Sequence, residues 1–137
     1  MKGGFRVLPH TSEMVLEVRA PDWPSFYRAA AEGLLAVYGL RPGKPGTREL
    51  RRSVKGGSAE ETLVAWLAEL IFLVGTKRTV PAKIEVTQAG PLELTAVLRV
   101  RPAQDLPLER EVKAAAYHGL KVEEKRSGIG ARVILDV

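Results

Sequence analysis

The order of apolar and polar positions divides the chain into short segments of two kinds. In 13–20 (EMVLEVRA), Met14, Leu16 and Val18 alternate with Glu17 and Arg19, the two-residue period of a half-buried strand. Ahead of it, 4–8 (GFRVL) predicts a short strand stopped by Pro9, with His10, Thr11 and Ser12 as the turn. The period then changes. Phe26, Ala30, Leu34 and Val37 recur three and four apart, so a helix is expected behind Asp22 as N-cap, with Pro24 in its first turn and Gly39 and Pro42 ending it.

Residues 40–47 read as loop, and 48–54 as a strand in which Leu50, Arg52 and Val54 alternate with Glu49, Arg51 and Ser53. Ser58 and Glu61 have the spacing of a capping box. The helix behind them, 59–74, carries Leu63, Trp66, Leu67, Leu70 and either Phe72 or Leu73, a wide apolar arc that predicts the more buried of the two helices.

Strands are expected at 82–88 and 92–100, joined by the turn QAGP. Residues 102–109 form a proline-bearing loop. The stretch 111–118 (EVKAAAYH) is open between strand and helix, because its alanines favour helix while its length and Gly119 suit a strand. Leu120 and Val122 begin a last hairpin, with KRSGIG as its turn and 131–137 as its final strand. This order predicts a single α+β domain spanning 1–137, with a mostly antiparallel sheet layered against two helices.

Composition narrows the function. With no cysteine among 137 residues, disulfides, thiolate metal sites and a cysteine nucleophile are excluded, which suits a cytoplasmic protein. No apolar run approaches the ~20 residues of a membrane span, so no membrane association is expected. The net charge of +5 leaves two readings open, a nucleic-acid partner or an ordinary charged surface. No asparagine, two glutamines and nine prolines point toward a thermophilic source.

Phosphate-loop and nucleophile-elbow motifs are absent, and His10 and His118 lack zinc-motif spacing. Three polar groups stand out instead. Glu13 opens one strand and Asp136 closes another beside the carboxylate of Val137. If those ends meet, oxygen donors converge as hard divalent cations require; if not, they are solvated acids. Lys113, Tyr117 and His118 form a second group, in which Lys113 and Tyr117 share a face on either a strand or a helix. Arg48, Arg51, Arg52 and Lys55 form a third, suited to phosphate or RNA contact or simply to the wet side of an edge strand.

The segments HTSE, FYRAAAEGLLAVY, LVAWLAELIFL, VKAAAYHGLKVEE and ARVILDV occur in this order. Together they resemble the archease family along nearly the whole chain. The resemblance implies a small α+β two-layer sandwich. It also implies an accessory protein, not itself an enzyme, that activates the RtcB-type RNA ligase of tRNA splicing by promoting ligase guanylylation and multiple turnover. GTP and RNA would then be met through the ligase, with direct RNA binding left open. A divalent cation is implied, calcium before magnesium or manganese, at positions matching Glu13, Asp136 and Val137. Lys113, Tyr117, His118 and His10 match the activation motif. Three positions depart from the family pattern: Glu13 where Asp is usual, Ala68 where Asn is common, and Ala116 where Thr is common.

Overall fold

The computed structural model describes residues 3–10, 12–41, 46, 48–102 and 108–137, excluding the side chains of Pro9 and His10. The expected terminator Pro42, most of the 40–47 loop, Thr11 and residues 103–107 lie outside the described residues.

Among the described residues, eight strands and two α-helices follow in the order β1 (Gly4–His10), β2 (Glu13–Ala20), α1 (Trp23–Val37), β3 (Arg48–Lys55), α2 (Ala59–Ile71), β4 (Thr79–Ala89), β5 (Glu93–Pro102), β6 (Ala114–Ala115), β7 (Val122–Lys125) and β8 (Gly128–Asp136). The α+β class and the antiparallel pairing are as expected. The strands, however, divide between two sheets. One runs β1-β2-β8-β6, with β7 pairing β8 as well, and the other runs β3-β5-β4.

Both helices start where the sequence places them. The Asp22 carboxylate accepts the Ser25 N–H at 2.8 Å, and that bond holds its carboxyl below the usual range. Ser58 Oγ accepts the Glu61 N–H at 3.1 Å. Each helix touches both sheets: α1 packs on β1, β2 and β4, and α2 on β3 and β6. Buried groups lock the layers together. Trp66 Nε1 donates to the Tyr27 carbonyl at 2.9 Å, and the Tyr27 hydroxyl donates to the Gly90 carbonyl at 2.8 Å. Burial pushes the Tyr27 phenol well above its usual range.

The expected ranking of the helices is reversed. Eight of the fifteen residues of α1 are buried, against five of the thirteen in α2. Alanines explain it: Ala29, Ala30 and Ala31 are small enough to let strands close in around α1. Gly33 serves the same end, since a Cβ there would lie 2.5 Å from Leu16 Cδ1 and 2.9 Å from Phe5 Cγ. Beyond α2, Phe72–Thr76 forms one π-helical turn that buries Leu73 and Val74. Phe72 is exposed, with Lys77 Nζ 5.7 Å from its ring centre, so Leu73 is the core residue of that pair.

Two strands run through prolines that were expected to stop or precede them. β1 continues past Pro9 to His10, and β4 begins at Thr79 and crosses Pro81. Both are edge strands, where a missing N–H does not break the ladder. β4 also bulges between Pro81 and Lys83. The ambiguous stretch 111–118 contains the short strand β6 and no helix. β8 starts at Gly128, inside the expected turn, and Lys125 pairs with Gly128 across a two-residue turn. Gly128 has φ +127, and a Cβ there would lie 2.4 Å from the Ala20 carbonyl oxygen. Only glycine lets β8 start that close to the end of β2.

Candidate functional site

Each register in the larger sheet sorts its residues by face. Leu16 opposite Val133 and Met14 opposite Leu135 point inward, with Leu16, Val133 and Leu135 fully buried. The alternate pairs point outward and form rows across the strands. The first row is Glu13 opposite Asp136, with Ala114 on the far side of Asp136. The second is Leu8, Val15 and Ile134, and the third is Arg6, Glu17 and Arg132, in which Arg6 is ion-paired with Glu17. The fourth is Arg19, Gly130 and Glu123.

The first row brings together the two acids singled out from opposite ends of the chain. The Lys113 N–H donates to the Asp136 carbonyl at 2.8 Å, so the backbone of Asp136 bonds toward β6 and away from β2. Glu13 and Asp136 are therefore a non-hydrogen-bonded pair, whose Cα atoms sit about 4.5 Å apart with side chains at their closest. Glu13 is half-buried and Asp136 exposed. Val137, next to Asp136, is partly buried against the core.

A divalent cation can be tested against this donor set. Among the described residues no three His, Asp or Glu side chains converge. The candidate donors brought face to face are the carboxylates of Glu13 and Asp136, and Val137 directly follows Asp136 at the end of β8. Oxygen-only donors fit a hard cation such as calcium or magnesium and exclude a thiolate-type zinc site. Two facing carboxylates would leave most coordination positions of such a cation to water or an oxyanion.

Lys113 reaches the same end of the sheet through its backbone, and its side chain is exposed. Ala114 shares the row of Asp136, and Lys113 immediately precedes β6. Tyr117 and His118 lie further along, in a turn closed by the Leu120 N–H on the Tyr117 carbonyl at 3.1 Å, with Gly119 at φ +75. Strand geometry stops before Tyr117, so alternation does not carry from Lys113 to Tyr117, and both are exposed. The backbone of His10 pairs with Glu13; its side chain lies outside the described residues.

The arginines of β3 do not form one patch. Arg48 and Arg52 take one face and Arg51 the other. Arg52 Nε donates to the Glu69 carboxylate at 2.7 Å, and its guanidinium also bonds the Arg51 carbonyl at 3.0 Å.

The outer face of β2, β8 and β7 encloses an open groove of about 470 Å³. It runs from Glu13 over Val15 and Ile134 toward Arg132 and Lys121. Val15 is only 6% exposed yet stands outside the core cluster, so it is the apolar floor of this groove. None of Lys113, Tyr117 and His118 lines it. Sequence reasoning put Glu17 and Arg19 on a polar face but did not join them to β7 and β8. Only the strand register supplies that link.

The family model of the archease proteins matches residues 5–137. A curated archease from Archaeoglobus fulgidus is 25% identical over 97% of this chain and 98% of the relative, and one from Methanosarcina barkeri is 24% identical over 97% and 95%. Two solved structures have the same fold at a TM-score of 0.67. The solution structure of Methanobacterium thermoautotrophicum protein 1598 shares 22% identity and covers 98% of this chain and 99% of its own. The crystal structure of "an archease, possible chaperone" from Thermotoga maritima shares 21% identity over 96% of both chains.

Proposed function

The chain belongs to the archease family, and from that premise we propose that it is a cytoplasmic, non-catalytic activator of an RtcB-type RNA ligase. It would promote guanylylation of the ligase in tRNA splicing and RNA repair, so that the ligase turns over repeatedly. One observation carries this reading: Glu13 and Asp136 face each other in register, with Lys113 bonded to the backbone of Asp136.

The end of the sheet is the part that would enter the ligase's nucleotide site. Glu13, Asp136 and the carboxylate of Val137 would hold a divalent cation, calcium in the first instance, which when bound supplies positive charge for phosphate oxygens. Lys113, exposed on its long stem, would add a charge-assisted hydrogen bond to the same phosphates. β6 fixes the backbone of Lys113 against Asp136, so cation and lysine arrive with a set spacing. Tyr117 and His118 would provide the adjoining contact surface, because they are exposed on a turn tied to the same strand.

Glu13 differs from the usual Asp by one methylene. The longer side chain starts from a half-buried position in the row and can still reach a shared ion with Asp136. Direct RNA contact through β3 has less support, since Arg52 is engaged by Glu69 and the arginines are split between faces.

The test is to mix the protein with the RtcB-type ligase of its own source and follow guanylylated ligase over many turnovers. Asp136→Ala and Lys113→Ala should each abolish stimulation while the far-UV circular dichroism is unchanged. Full stimulation by both variants would reject the assignment.

A further inference from the structure

The groove has a second end, remote from the acids. Glu13 and Arg19 are six residues apart on β2, roughly 20 Å along the strand. Around Glu123 at that end stand three cations. Lys125 Nζ lies 3.1 Å from the Glu123 carboxylate. The Glu123 carboxyl is held below the usual range first by its hydrogen bond with Lys125, with Lys121 and Arg19 adding to the effect. Arg19 crosses its neighbouring strand at Gly130, where a Cβ would lie 3.6 Å from Arg19 Cγ and 3.9 Å from Cζ. The missing side chain at Gly130 leaves the path along which Arg19 reaches toward Glu123. Ser127, Gly119 and Gly128 complete the wall with small residues, so a ligand can approach the backbone.

Three cations against one carboxylate leave two positive charges at the end of a groove large enough for a small ligand. A carboxylate ligand would neutralise half of that excess. A phosphate group carries up to about two negative charges and offers three acceptor oxygens, which matches both the charge and the three donors. We propose that Arg19, Lys121 and Lys125, gathered around Glu123, form a phosphate-binding subsite separate from the Glu13–Asp136 row. Glu123 holds the cations in place when the subsite is empty and competes with the incoming anion.

The phosphate has two potential sources, a free nucleotide or a nucleic-acid strand, and one experiment separates them. The full chain is titrated, without any ligase, against inorganic pyrophosphate by calorimetry and against a labelled single-stranded RNA hexamer by anisotropy. Lys121→Glu combined with Lys125→Glu should weaken binding about tenfold or more, with a shallower salt dependence. Glu123→Gln, which keeps the shape, should tighten binding about threefold by removing the competing charge. Lys77→Glu combined with Lys83→Glu makes the same change in net charge at exposed positions away from the groove and should leave binding within about twofold. Binding of pyrophosphate alone assigns a free phosphate; binding of the hexamer alone assigns a strand. No saturable binding of either probe, or an equal loss in the control variant, overturns the subsite. Because no ligase is present, failure here is distinct from failure of ligase activation.

Discussion

The two sheets treat their solvent faces differently. In the three-stranded sheet, polar rows satisfy themselves: Glu49 sits opposite Arg99 with an ion pair at 3.5 Å, Ser53 bonds Thr95 at 3.1 Å, and Lys55 faces Glu93. Opposite charges and hydroxyl pairs across strands each contribute a few tenths of a kcal/mol to about 1 kcal/mol. The five-stranded sheet does this in its third row, where Arg6 meets Glu17, and then breaks the rule by placing Glu13 opposite Asp136. A like-charged pair directly opposite is destabilising. The outer face of the smaller sheet pairs opposite charges, and the groove on the larger sheet has an acid end and a basic end.

The contrast can be broken most severely at its geometric base. Gly128→Ala should cost about 2–3 kcal/mol in chemical denaturation, because φ and the nearby Ala20 carbonyl both forbid a Cβ. Ser53→Ala in the other sheet should cost no more than about 0.5 kcal/mol, since its bond to Thr95 is exposed. A loss of equal size in both would mean that the larger sheet is not pinned at the start of β8.

A second test concerns how the groove wall is held. The Glu60 carboxylate of α2 accepts the Val122 N–H of β7 at 2.8 Å, and this bond holds its carboxyl below the usual range. Its contribution is therefore present above the ordinary carboxylate range and is lost as pH falls through the lowered value. Glu60→Gln should destabilise the protein by about 1 kcal/mol at neutral pH, a gap that closes in acid. Denaturation curves at several pH values check it, and a gap independent of pH would show that the charge of Glu60 does not matter.

The smallest effect is the most specific to the comparison. Glu13→Lys makes the first row resemble Glu49 and Arg99, and should raise cation-free stability by about 0.5 kcal/mol. Arg99→Glu does the reverse on the other sheet and should lower stability by a similar amount, about 0.5 kcal/mol. If Glu13→Lys is destabilising without any cation, the like-charged row is not the liability described.

Local features were legible in the sequence because they depend on neighbours. Asp22 and Ser58 cap the helices as expected, and the alternation in 13–20 identified the inward Leu16 and Val18. The distribution of strands between two sheets was not legible, because pairing depends on contacts remote in sequence. Nor was the deep burial of α1: alanine carries little hydrophobic signal, yet its small volume is what lets two sheets approach one helix. Glu13, Asp136 and Val137 could be suspected from strand ends, but only the register places the two acids directly opposite. Arg48, Arg51 and Arg52 looked like a cluster because they are close in sequence, while strand alternation sends them to two faces.

Calorimetric titration of calcium into the cation-free protein tests the first row most directly. One ion should bind per chain, and Asp136→Asn, which keeps the size of the side chain and removes its charge, should weaken that binding about tenfold or more. Equal affinity in the parent and Asp136→Asn, or no binding to the parent at all, would contradict a cation site at Glu13 and Asp136.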